Sequence, residues 1–199
     1  MALLYFLGIF VGMLIPIQTS VNSRLSQYTR SSFYASTVSF GVGTLCLIIL
    51  NLIINPHMLT PQFFTEQTFN YHWFVGGLLG VCFLTGNLLL LPRLGAALTV
   101  VITVAGQIIM GVAIDTLGLF GANQQPFTLF KAVGIVLLLI GILLMNQIPK
   151  DKLLRQSHSN LYIWLIVGFI FGCAPPIQTT INSALAKEVH SSFFASLVS

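Results

Sequence analysis

The chain has 199 residues, 56% of them hydrophobic and 6% charged, with a formal net charge of +4 and a mean hydropathy of +0.93. An ordinary soluble domain carries about a quarter charged residues, so this composition excludes a soluble globular protein and makes the lipid bilayer the first partner. The eight Lys and Arg are scattered singly along the flanks of apolar segments, and no basic stripe is present to hold a nucleic acid.

A helix that spans a bilayer needs about 20 mainly apolar residues. Six stretches meet this, near residues 2–21, 33–54, 72–92, 96–117, 129–148 and 161–181, and a seventh opens at Ser191 or Ser192. Asn55-Pro56, Pro92-Arg93, Asn123-Gln124-Gln125-Pro126 and Pro149-Lys150-Asp151-Lys152 separate them and supply helix stops. The fold class expected is therefore an all-α polytopic membrane protein. The first stretch lacks a basic leader and has a near copy in mid-chain, so it reads as a retained span rather than a cleaved signal.

On a helical wheel the first span divides into two faces. Gly8, Gly12, Pro16, Gln18, Thr19, Asn22 and Ser23 share one, and Phe6, Phe10, Met13, Leu14, Ile17 and Val21 the other. Pro16 has no N–H and crowds the preceding turn, which frees the carbonyl of Gly12. Such a carbonyl is tolerated beside water, a polar side chain or a ligand, so Gly12 and Pro16 mark an expected helix break. The amides Gln18 and Asn22 either line a solute path or bond one helix to another.

The third span carries Gly76, Gly77, Gly80 and Gly86 ahead of Asn87, and the fourth carries Gln107 after Gly106. Asn87 and Gln107 join the candidate substrate contacts, with interhelical bonding as the alternative. Asp115, the one acid within a span, lies near the end of the fourth; it is the candidate for proton coupling, with a wet interfacial carboxylate as the alternative. Cys46, Cys82 and Cys173 sit in apolar stretches without metal or disulfide spacing. With no HExxH, no GxSxG, no phosphate loop and no paired carboxylates, neither an enzyme nor a cofactor or metal is expected.

Residues 172–199 repeat residues 12–39 at a shift of 160, with about half of the positions identical. GMLIPIQTSVNSRLSQYTRSSFYASTVS returns as GCAPPIQTTINSALAKEVHSSFFASLVS. The second copy thus brings back the break, at Gly172 and Pro176, and the amides, as Gln178 and Asn182. Five predicted spans separate the copies, an odd number, so the element enters the membrane in opposite directions the two times. This predicts an inverted repeat of five-helix units: a first unit over 1–150 and the start of a second over 161–199, the latter incomplete at Ser199. Paired interruptions in inverted halves point to a transporter site near the midplane. Arg24, Arg30, Arg93, Lys150, Lys152 and Arg155 fall on one side, against Lys131 and Lys187 on the other, which puts the N-terminus outside.

The NSRL…SSFYAS…SFGVGTL run, the PRLGAAL turn, the AGQ opening of the fourth span's core and the IDTLGLFG ending resemble the YdcZ-like branch of the drug/metabolite transporter superfamily. The resemblance runs over nearly the whole chain. It implies five-span units that act singly, in oppositely oriented pairs or fused, and hence a homodimer, a heterodimer or a fused form. It also implies residence in the bacterial inner membrane and export or exchange of a small molecule by alternating access. The superfamily's small multidrug members use a first-span glutamate that this chain lacks, and the amides suit a neutral or zwitterionic solute. The competing expectation is a non-transporting membrane scaffold or partner subunit.

Overall fold

Within hydrocarbon a backbone must satisfy its own N–H and C=O groups, and the apolar runs of this chain do so as helices. The computed structural model describes residues 2–66, 74–147 and 158–199. Its long elements are α1 (Ala2–Thr29), α2 (Ser32–Ile54), the short α3 (Pro61–Glu66), α4 (Val75–Leu117), α5 (Leu129–Gln147), α6 (His158–Gly172), α7 (Ala174–Glu188) and α8 (Ser192–Val198). Among the described residues four helices are long and apolar enough to cross a membrane, Phe6–Thr29, Ser32–Ile54, Val75–Leu117 and Leu161–Glu188, with Leu129–Ile142 a shorter apolar helix, which bears out the all-α polytopic membrane fold; the third and fourth expected spans lie in the single element Val75–Leu117. The start of the third span at residue 72, Lys150, Lys152 and Arg155, and most of the boundary between the two expected units lie outside the described residues.

As one rod the 43 residues of α4 would reach about 64 Å, twice the bilayer core. Gly95 prevents this. Its φ of 76° and ψ of 164° belong to a region that only glycine adopts at ease, and there the chain turns back. Along residues 75–94, Gly76 faces Asn182, Gly80 faces Gln178, Gly86 faces Phe171, and Leu90 approaches Gly168. Along 96–117, Ile102 meets Gly168, Thr103 meets Gly172, and residues 104–115 adjoin residues 175–180. The two segments of α4 therefore run antiparallel, with α6 and α7 laid along both.

The same register fixes the direction of the copies. Arg30 and Ser26 near the end of α1 lie beside Leu88 and Pro92, whereas Asn182 in α7 lies at the opposite end of that segment, beside Gly76. Hence α1 runs parallel to residues 75–94 and α6–α7 antiparallel, and the repeat is inverted.

The two copies share their turn, caps and local hydroxyl bonds. Arg30 (φ 54°) and His190 (φ 56°) make the same left-handed turn, after which Ser31 and Ser191 cap the next helix, each accepting from a backbone N–H at 3.2 Å. Ser36 and Ser196 each donate to the carbonyl four residues back at 2.9 Å. Ser20 donates to the Pro16 carbonyl and Thr180 to that of Pro176, both at 2.8 Å.

One expectation is corrected. α1 continues through Pro16 without a break, whereas the second copy divides between α6 and α7 at Cys173. A single proline removes one donor and the neighbouring bonds hold the helix. Pro175 and Pro176 in succession remove two adjacent donors, and the N–H of Cys173 is shared between the carbonyls of Phe169 and Ile170 at 3.2 and 3.0 Å.

Their surroundings also differ. Ile181 is 5% exposed and Phe194 fully buried, in a cluster with Met58, Leu185 and Val189, yet the matching Val21 and Tyr34 are 60% and 56% exposed. Arg93 closes the other end of the packed region, its guanidinium carbon 3.9 Å above the Trp164 ring.

Candidate transport site

A cavity of about 400 Å³ opens between the second segment of α4 and the proline-led start of α7. Gln107, Asp115, Pro176, Thr179 and Thr180 are among its lining residues. Two features create it. Successive prolines shape the wall on α7, and the four-residue spacing of Gln107, Gly111 and Asp115 keeps one face of α4 polar or small along two turns. The cavity thus brings together three residues expected from the sequence to serve one site, namely Gln107, Asp115 and Pro176.

Asp115 does not stand alone. The ammonium of Lys131 in α5 lies 3.6 Å from its Oδ2. One backbone and one side-chain donor hold the carboxylate's own turn in place: the N–H of Gln125 donates to the Asp115 carbonyl at 2.8 Å, and Gln124 Nε2 donates to the Thr116 carbonyl at 3.0 Å. The loop after α4 is folded back over the helix end in this way.

The other amides are turned elsewhere. Gln18 Nε2 and Asn22 Nδ2 both donate to Ser39 Oγ, at 3.3 and 3.1 Å, and Gln178 Nε2 donates to Ser199 Oγ at 2.8 Å. Ser199 occupies the place of Ser39 in the repeat, so one amide-to-serine brace joins consecutive helices in each copy. Asn87 bonds the Phe83 carbonyl of its own helix at 2.9 Å. Asn182 packs on Gly76, its Oδ1 buried without a hydrogen-bond partner. Gly12 has nothing within 4 Å of the place its Cβ would take, while Gly172 is pressed onto the Thr103 carbonyl.

Ser39, Lys131, Thr179 and Thr180 are absent from the expected site residues. A signal existed for the first, since a serine follows each repeated glutamine by 21 residues. Lys131 had none beyond being a cation at a span end. We expect Ser39→Ala to lower stability by about 1 kcal/mol, from two interhelical bonds of about 0.6 kcal/mol each. The thermal midpoint of the purified protein reads this. A loss of flux with no loss of stability would instead return Gln18 and Asn22 to the solute path.

An all-α bundle whose helices are long and apolar enough to cross a bilayer defines the class of a polytopic membrane protein. Within it, residues 3–144 match the family DMT_YdcZ, described as "Putative inner membrane exporter, YdcZ", and the chain belongs to that family. No curated protein and no solved structure matches the chain.

Proposed function

We propose that the protein moves a small polar solute across the inner membrane by alternating access around the cavity at Pro176. The observation that carries this is the convergence of Gln107, Asp115, Thr179 and Thr180 on one 400 Å³ space beside the division between α6 and α7 at Cys173. Gating by Asp115, through gain and loss of a proton or of its Lys131 partner, is part of the same reading. So is an N-terminus on the outer side.

The repeat adds a symmetry argument. α6 and α7 lie along the hairpin of α4, and α1 is their inverted counterpart with its matching face bare. Under the same two-fold relation, the hairpin of a second five-helix unit would cover α1, and the solute would pass between the two units. The amide-to-serine braces favour a structural role for Gln18, Asn22 and Gln178 within each wall of that path.

Everted membrane vesicles exposed to a mixture of small metabolites test this, with mass spectrometry of what they accumulate relative to vesicles without the protein. The double variant Gln107→Leu, Thr179→Val should cut the protein-dependent accumulation at least tenfold at equal protein level. If vesicles with and without the protein accumulate the same solutes, the transport reading falls and the scaffold reading takes its place.

A further inference from the structure

We infer that Asp115, Lys131 and Thr116 form the polar end of a binding site for a zwitterion, a solute with an ammonium and a carboxylate on a small branched apolar body. This rests on the transport reading above and adds the substrate class to it. The argument is one of donors and acceptors. The Lys131 ammonium has three N–H donors, but its Nζ is buried and makes no hydrogen bond. Asp115 Oδ2, at 3.6 Å, forms an ion pair with it beyond hydrogen-bond distance. Thr116 Oγ1, on the next residue, is also buried without a partner. A buried donor without a hydrogen bond is costly, and here the ammonium has only the long ion pair to Asp115 while Thr116 Oγ1 has no partner among the described residues. A carboxylate supplies two acceptor oxygens and suits both groups.

Asp115 presents the opposite need. Its side chain is 48% exposed while that of Lys131 is 20% exposed; Asp115 lines the cavity, and Lys131 and Thr116 lie outside its lining, to be reached only when the ion pair opens. An incoming anion alone would meet this carboxylate, and an incoming cation alone would meet the Lys131 ammonium. A zwitterion satisfies both, its ammonium on Asp115 and its carboxylate on Lys131 and Thr116, and thereby parts the resting ion pair. Beyond the charged end the walls are Val104, Ile108, Ile114, Pro175 and Pro176, an apolar lining that matches an aliphatic body.

The test uses the full chain in lipid nanodiscs and three probes of equal body: leucine, isoamylamine with the ammonium alone, and isocaproate with the carboxylate alone. Leucine should bind at least tenfold more tightly than either analogue, by equilibrium binding and by thermal shift. Asp115→Asn should remove the advantage of leucine over isocaproate, and Lys131→Gln its advantage over isoamylamine. The double variant Asp115→Asn, Lys131→Gln should bind all three alike. Lys131→Arg, which keeps the charge, should keep the preference and guards against a variant that fails to fold. Equal binding of leucine and a singly charged analogue by the parent protein overturns the inference, as does a preference that survives both single changes. Flux is read separately in the vesicles, so a leucine preference without protein-dependent flux removes the transport reading and leaves the site standing.

Discussion

Gly172→Leu is expected to abolish stable accumulation of the protein, whereas Gly12→Leu, at the matching position of the first copy, should leave it unchanged. A Cβ at Gly172 runs into the carbonyl, carbonyl carbon and Cα of Thr103, so backbone and not a flexible side-chain end stands in the way. Gly106 repeats the close approach from the other helix, meeting the Phe169 carbonyl. Helices in lipid associate through such small-residue contacts, because no water is left to drive them together. Overpacking a tight interior costs about 1–3 kcal/mol when side chains can yield. Here the end of α6 itself must move off α4, against a total stability of about 5–15 kcal/mol. At Gly12 nothing lies within 4 Å of the added atom. Fluorescence-detected size-exclusion profiles of the two variants compare them directly; equal profiles would mean that α6–α7 does not pack on α4 as described.

Gly95→Val should be nearly as damaging, for a different reason. A valine at a φ of 76° and ψ of 164° occupies a region costing about 1–3 kcal/mol for a residue with a Cβ, and its branched side chain adds to that. Space is not the issue, since nothing lies within 4 Å of the Cβ position. The conformation itself is what turns 43 residues into a hairpin, and α6 and α7 depend on both of its arms. The thermal midpoint should fall for Gly95→Ala and fall further for Gly95→Val. A midpoint unchanged in both would show that the turn does not need a glycine.

The spans, the repeat and its inversion were legible in the sequence because apolar length and odd-span counting need no knowledge of neighbours. The unbroken course of α1 through Pro16 was less legible: a proline's local cost is known from sequence, but whether one lost donor breaks a helix depends on what else holds it. Two consecutive losses at Pro175 and Pro176 did divide the second copy. For the site, a wheel places Gln18 and Asn22 on one face but cannot say that the face meets Ser39 of α2. Gln107 and Asp115 could be placed on one side of one helix, yet their meeting with Pro176 is a tertiary event. The Lys131 contact depends on how the loop after α4 folds back, which Gln124 and Gln125 decide through backbone carbonyls rather than any motif.

The two copies also record how a duplicated segment diverges. Residues kept in both include those whose partners lie inside the copy itself: the cap serines Ser31 and Ser191, and the braces Gln18 to Ser39 and Gln178 to Ser199. Residues that changed include several whose surroundings differ. Leu14 is exposed where Ala174 is buried, and Tyr34 is exposed where Phe194 is enclosed. Duplication thus retained an internal frame and left the outward positions to adapt, each to a different neighbour. A gene built this way can acquire asymmetry, and with it a direction, without altering the framework that both halves inherited.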